Sequence, residues 1–550
     1  MEQSKPHRIK VSKKGKSLLG NSILNKGSAF TQNERQDFEL EGLLPPSIST
    51  IDQQLQRRWA NFQQCKDDIS KYNFLTDLQN RNETLFFRFC NDHVYETLPF
   101  IYTPVVGEAA LNFSLQYHYS RGLYIPYDKK DEIENILKNF KEEDIRVIVA
   151  TDGGRILGLG DVGVGGMTIP IGKTSLYTLF GGVHPAKVLP IFLDVGTDNE
   201  ALLKDPLYLG RRENRMTGDE YFEFMDAFVE AVKKVFPMAM LQWEDLLGVH
   251  AQKVLDRYRD NILSFNDDIQ GTAGVVLAGL LTALKMKESE LKNEKIAIFG
   301  GGAAGLGVAH MIYHYLIHNK VSEKIARNMI HIIDKNGLTY KNQDKIREEH
   351  KFFAKDKPSG LGEVILLDDV IKHYGITILI GASARPNAFT EETMKLMLKN
   401  TDCPIVFPLS NPDTKAEGTP EMIINATKGK AIVATGTAFK DVNYCGKTYH
   451  IGQCNNVYIF PGIGLFTTAF SIKTIPEEFF YIAGETLSKI SPPLLFPKFE
   501  NLKEASKSIA LEIAKFAVSR KIIPQMSEEE MIKKINLTIW NPEYREYYSS

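Results

Sequence analysis

Cysteine is scarce in this chain: Cys65, Cys90, Cys403, Cys445 and Cys454 are scattered and never spaced C-x-x-C. An odd, dispersed set argues against a disulfide framework or a cysteine zinc site and fits thiols in a reducing compartment. An excess of one charge is also missing. Sixty-six basic and 68 acidic residues leave a net charge of −2, so no basic footprint for nucleic acid or an anionic membrane exists. Long apolar runs are lacking too. The longest, AGVVLAGLLTAL at 273–284, stops short of the roughly 18 residues that read as a membrane span. The opening MEQSKPHRIKVSKKGKS has no apolar core of a secretory signal, and its lysines and Glu2 do not suit a transit peptide. A disordered, solvated lead-in of about 20 residues is expected, on a cytoplasmic chain.

What is present is ordinary globular composition, 43% hydrophobic and 24% charged over 550 residues, too long for one core. Residues 30–120 carry apolar positions at helical spacing, up to the breakers Pro99 and Pro104. Residues 120–266 alternate strand-like runs (VLPIFLDVG, MAMLQWEDLL, NILSFNDD) with the amphipathic DEYFEFMDAFVEAVKKVF. There IRVIVATDGGRILGLGDVG reads as two strands around a tight Asp152-Gly153-Gly154 turn. From about residue 290 strands and helices alternate regularly, as in a Rossmann-type doubly wound α/β fold. The expected division is a helical domain at 1–119, an α/β substrate and metal domain at 120–266 and a Rossmann domain at 267–455. A helical return to the substrate domain at 456–527 and a tail at 528–550 complete it.

Gly300, Gly302 and Gly305 form G-x-G-x-x-G directly after the strand KIAIF and before a helix. That context lets backbone approach a pyrophosphate at a helix N-terminus. The next strand ends at Asp334, an acceptor for ribose hydroxyls, followed by Lys335, which could attract a 2′-phosphate or simply sit in solvent. NAD is the favoured cofactor, with NADP open. Glu244 and Asp245 close one expected strand, Asp267 and Asp268 another. Asp before GTAGVVLAGLL would also suit a helix cap, but four acids at strand ends favour a hard cation with oxygen ligands, Mg²⁺ or Mn²⁺. Arg155 and Lys173 stand in glycine-rich, otherwise uncharged surroundings. An arginine there can grip a carboxylate, and a buried lysine can act as a general base.

The segments NKGSAFT, GLLPP, YTPVVGEA, TDGGRILGLGD, GGMTIPIGK, DVGTDN, FNDDIQGTA, PLSNP and NNVYIFPGIG, together spanning 25–464, resemble malic enzyme. The bacterial NAD-linked forms look closest, and malolactic enzymes share nearly the same motifs. The resemblance implies metal-dependent oxidative decarboxylation of (S)-malate to pyruvate and CO₂ by a homodimer or homotetramer. It implies Glu244, Asp245 and Asp268 as metal ligands, Lys173 as general base, Tyr102 as general acid and Asp267 as a support for the lysine. Arg155 then grips a malate carboxylate, and Asn411 and Asn456 are substrate- and nicotinamide-side contacts. GGGAAG in place of the commoner GAGxAA and GASARPN at 381–387 depart from the family pattern. So does Ser49, where relatives that bind fumarate between two arginines (here Arg57 and Arg81) carry an acid. The terminal IWNPEYREYYSS resembles an assembly tail, though its aromatics could equally pack within the subunit.

Overall fold

Thr50, Asp67 and Asn82 each accept a backbone N–H three residues on, at 3.2, 2.7 and 2.9 Å. Each therefore starts a helix by satisfying a donor the helix cannot use. The helices are α1 (Ile51–Gln63), α2 (Asp68–Arg81) and α3 (Glu83–Asp92), followed by α4 (Val94–Ile101) and α5 (Val105–Leu111). This computed structural model describes residues 8–140, 143–156, 158–344 and 346–549. The chain divides into two compact units. One holds the described residues to Glu244, with Thr467–Ala469 and the residues from Lys533 on; the other holds Asp245–Phe466 and Phe470–Ile532.

In the first unit the helical and α/β parts, expected as separate domains, fall in one compact body. Strands β1 (Leu123–Pro126), β2 (Val147–Thr151), β3 (Val188–Asp194) and β4 (Met240–Trp243) run parallel in the order β1-β3-β2-β4. Every residue of β2 is buried, as expected of a strand covered on both faces. Helix α6 (Thr168–Leu179) packs on β2, β3 and α5, so it joins the two parts.

Two expectations fail in this unit. The lead-in is ordered from residue 8: Ile9–Val11 pairs in parallel with Tyr547–Ser549, and Leu18 is fully buried. Residues 1–7 lie outside the described residues. Among the described residues the second strand expected after β2 does not form either; a single bridge joins Ile156 to Gly160. Gly153 and Gly160 adopt φ of +67° and +84°, a left-handed backbone that closes a loop instead of extending a strand.

The second unit contains β5 (Ser264–Asn266), β6 (Ile296–Phe299), β7 (Ile330–Asp334), β8 (Gly337–Leu338), β9 (Ile378–Gly381), β10 (Ile405–Pro408), β11 (Ile432–Thr435) and β12 (Gly452–Gln453). Seven of them form one sheet in the order β12-β11-β10-β9-β6-β7-β8, parallel except at the β8 edge. The chain leaves β6 for β7 on one side and later returns to β9 on the other. That is the reversal at which doubly wound sheets open a ligand crevice. Helix α7 (Thr272–Met286) is apolar all round and buried from Ala273 to Leu284. The span Asp267–Met286 is long and apolar enough to cross a membrane, yet 83% of its apolar window is buried inside the chain. Covering every face takes α8 (Ala303–His318), α9 (Glu478–Ile490) and, through α9, α10 (Leu502–Ser519). For this reason residues 470–532 group with the dinucleotide unit rather than returning to the substrate domain as expected.

Candidate active site

In the first unit the candidate base is buried, as its apolar flanks suggested. Lys173 lies in α6 with 1% of its side chain exposed, and its Nζ is 3.0 Å from Glu244 Oε1. Glu244 follows β4 and is held by its N–H, which donates to the Ala150 carbonyl at 2.9 Å. Its Oε2 accepts from Gln242 Nε2 at 2.6 Å, and Gln242 Oε1 accepts the Tyr177 hydroxyl. Tyr177 is one helical turn beyond Lys173, so helix and strand fix both ends of the pair. Neither Gln242 nor Tyr177 was singled out from the sequence; alternation along β4 and the i, i+4 spacing were the available signals. Tyr102, 8% exposed, sits just past α4, with its ring centroid 5.4 Å from Lys173 Nζ. Arg155 is exposed on the loop after β2, just before the Ile156–Gly160 bridge, and among the described residues its guanidinium has no hydrogen bond or ion pair.

Asp245, Asp267 and Asp268 belong to the second unit. Asp245 holds a left-handed φ of +50°, a strained geometry for a non-glycine residue of the kind that clusters at functional sites. Its N–H donates to Asp268 Oδ2 at 2.8 Å, and a carboxylate oxygen of each acid lies within 4.8 Å of the other's. Such spacing between two hard oxygen donors suits a divalent cation. Residues Asp267–Gly271 form one π-helical turn, a form frequent at functional sites. The cap of that turn is Asn266, whose Oδ1 accepts from Ile269 N at 3.0 Å, so capping does not explain the acids. Asp267 is fully buried, and Asn456 Nδ2 donates to its Oδ2 at 3.1 Å and its carbonyl at 3.0 Å. Asn456, expected beside substrate, is therefore also the anchor of Asp267.

The glycine turn fits a dinucleotide. A Cβ on Gly300 (φ +125°) would lie 2.3 Å from the Ala382 carbonyl, and one on Gly305 2.0 Å from the Gly300 carbonyl. Space beyond Gly302 is open, with nothing within 4 Å, and no side chain caps α8 there. The helix N-terminus is thus bare for a phosphate. Asp334 at the end of β7 is half-buried, and Arg347 Nη1 stands 3.5 Å from its Oδ2; the sequence reading passed over that arginine. Asn411, after β10, is exposed. Buried Glu417 joins the loops after β9 and β10, accepting from Ser383 N, Ser383 Oγ and Ser410 Oγ at 2.7, 2.8 and 2.5 Å.

The aromatics of the terminal segment pack within the chain. Trp540 N donates to the Gly182 carbonyl at 2.8 Å, Tyr544 OH to Gln54 at 2.8 Å, and Tyr547 is 7% exposed. Arg57 donates to Ser49 Oγ at 2.9 Å, while Arg81 pairs with Asp77 on its own helix.

Sheet order, bare glycine turn and strand-end acid together define a doubly wound dinucleotide-binding α/β protein. Two family models match the sequence, "Malic enzyme, N-terminal domain" over residues 79–259 and "Malic enzyme, NAD binding domain" over 269–518. An NAD-dependent malic enzyme of Acinetobacter baylyi is 42% identical over 98% of both chains. One of Pectobacterium carotovorum is 44% identical over 97% of this chain and 96% of its own. The malic enzyme structure of Entamoeba histolytica shares the fold at a TM-score of 0.55 and 20% identity, covering 91% of this chain and 90% of that one. That of Pyrococcus horikoshii does so at 0.53 and 24%, covering 81% and 89%. The chain belongs to the malic enzyme family.

Proposed function

We propose that the chain oxidatively decarboxylates (S)-malate to pyruvate and CO₂, reducing NAD and requiring Mg²⁺ or Mn²⁺. The observation that carries the residue assignment is the buried Lys173–Glu244 pair beside Tyr102. Lys173 takes the proton of the malate C2 hydroxyl, and Tyr102 returns a proton to C3 after CO₂ leaves. Glu244, paired with Lys173 at 3.0 Å, is the same carboxylate that would serve the cation. Arg155 grips a substrate carboxylate with its unpaired fork. Asn411 and Asn456 orient substrate and nicotinamide, and Asp267 supports the lysine.

Glu244, Asp245 and Asp268 would hold the divalent cation, which when bound polarises the C2 oxygen and offsets negative charge. Gly300, Gly302, Gly305 and Asp334 would hold NAD, which when bound accepts the C2 hydride. NADP is the weaker partner because Asp334 repels a 2′-phosphate. The chain works in the cytoplasm as a homodimer or homotetramer; Leu111, Leu115, Leu207 and Leu209 are each more than half exposed and offer apolar surface for assembly.

Incubation with (S)-malate, NAD and Mn²⁺ tests the reading. NADH and pyruvate in equal amounts are expected; lactate without NADH would make it malolactic, and no turnover at all would leave a nucleotide-binding scaffold.

A further inference from the structure

Resting on the reading of Arg155 as the malate-gripping residue, we infer that Arg215 is the positioning residue that sets it. Arg215 closes the neck of the loop that carries Arg155. It comes from a different part of the first unit, just before the helix Gly218–Val235. Its side chain is wholly buried, and all the donors in view are spent on the two ends of that loop. Nε and Nη2 form a fork on Asp161, at 3.1 Å to Oδ2 and 2.9 Å to Oδ1. Nη1 donates to the Asp152 carbonyl at 3.0 Å and stands 3.4 Å from Asp152 Oδ1.

The two acids are themselves fixed. Asp152 Oδ2 accepts the Tyr221 hydroxyl at 3.0 Å, and its Oδ1 accepts Gly154 N at 2.9 Å. Asp161 also accepts Thr197 Oγ1, Asp198 N and Gly163 N, at 2.9, 2.8 and 2.9 Å. Burial alone would raise the Asp161 carboxyl, but the Arg215 bonds and charge, with those N–H donors, hold it below its ordinary value. Burial likewise opposes the Arg215 charge, and Asp152 and Asp161 outweigh it. A buried guanidinium satisfied on both sides is rigid, and removing it leaves two carboxylates uncompensated.

Geometry then divides the labour between two arginines. Within the neck, Val162 N donates to the Gly153 carbonyl at 3.2 Å and Ile156 N to the Gly160 carbonyl at 2.9 Å. Arg155 lies between these two rungs, exposed and, among the described residues, without a hydrogen bond or ion pair, on a loop whose two ends Arg215 ties together. A gripping residue misplaced by an ångström loses binding steeply.

The test is a double-mutant cycle in the full chain, with Mn²⁺ and NAD saturating. R155Q is expected to raise the malate KM about 30-fold and R215K, which keeps charge but loses the fork, about 10-fold. The double variant should stay within about twofold of R155Q alone, because both changes remove one interaction. The NAD KM of R215K, measured well below its thermal midpoint, should hold, which a general structural loss would not allow. Should R215K fail to fold, Asp161→Asn opens the same fork from its other side and must give the same non-additive pattern. Additive effects, or an unchanged malate KM in R215K, overturn the inference. A flat response to R155Q itself overturns it differently, by removing the Arg155 reading on which it rests.

Discussion

Lys173 Nζ and Glu244 Oε1 stand 3.0 Å apart with almost nothing of either side chain exposed. A buried lysine costs free energy unless a charge faces it, and here the facing charge is one of the proposed metal ligands. The base and the metal site therefore share a residue, so neither can be altered alone. Gln242 holds the other oxygen of Glu244, and so the acid cannot turn away to follow one partner.

Replacing Lys173 by Ala should lower kcat with malate by 10²-fold or more, about the usual worth of a general base. Stability should fall as well, because Glu244 is left buried without its ammonium. Tyr102→Phe should instead slow turnover while leaving Glu244 paired, so its thermal midpoint should stay near wild type. Steady-state rates and melting curves of both variants separate the roles. Wild-type turnover in K173A would dismiss the lysine as base.

A chelator should abolish activity, and Mg²⁺ or Mn²⁺ should restore it. Asp268→Asn loses the charge of one of two facing carboxylates but keeps an oxygen for the Asp245 N–H. The Mn²⁺ concentration for half-maximal rate should rise about tenfold or more, since hard cations depend on ligand charge. An unchanged metal requirement in that variant would remove Asp268 from the ligand set.

Much of this was legible locally. Strand, glycines and helix are contiguous from Lys295 to His318, and each glycine's task follows from its place in that turn. Burial of Lys173 could be read from IPIG before it and SLY after it. What escaped were long-range contacts. The loop after β2 has the composition of a hairpin, and the residue that bonds both its ends, Arg215, lies 54 residues from Asp161. The basic lead-in looks disordered in isolation, and it is ordered by a segment at the other end of the chain. Arg8 meets Glu546 across 538 residues. Arg347 likewise reaches Asp334 from a stretch with no motif of its own.

That last contact bears on cofactor choice. In its proposed role Asp334 would accept a free ribose hydroxyl, while Arg347 and the exposed Lys335 place positive charge nearby. Asp334→Ser should raise kcat/KM for NADP relative to NAD by about tenfold, because the repulsion goes and the attraction stays. Adding Arg347→Gln should then take most of the gain away. If the second change leaves the ratio as it was, Arg347 does not meet the 2′-phosphate.

Three histidines, buried His331 and half-buried His184 and His310, shape the response to acid. Burial pushes His184 down to about 4, helped by Lys187 and Arg545, and His310 down to about 4, helped by His314. Burial, with Lys355, takes His331 down to about 3. Each folded value lies below the unfolded one of about 6.5, so each contribution is complete above pH 6.5. It is lost as pH falls towards the folded value, at about 1.4 kcal/mol per pH unit for each histidine. Urea midpoints should drop between pH 6.5 and 5. His184→Gln should make that drop shallower by one histidine's share, and parallel slopes would contradict the assignment.

Glu417 offers the sharpest distinction between holding a fold and shaping a site. Its fully buried carboxylate accepts from both serines of the loops that follow β9 and β10, and Ser410 Oγ in turn accepts Ala384 N at 2.8 Å. One of those loops is the GASARPN segment that departs from the family pattern; the other carries Asn411. An amide is a poor replacement, because its NH₂ would face donors that need an acceptor. Each bond left unmade costs about 1–3 kcal/mol. Glu417→Gln should therefore lower the thermal midpoint, and, if the loops shape the nicotinamide pocket, raise the NAD KM by about tenfold with the metal requirement unchanged. The structural and functional parts separate on temperature. Well below the midpoint, where the variant is folded, a normal NAD KM would leave Glu417 as a brace alone, whereas a raised one would show that the two loops must be tied together to receive the cofactor.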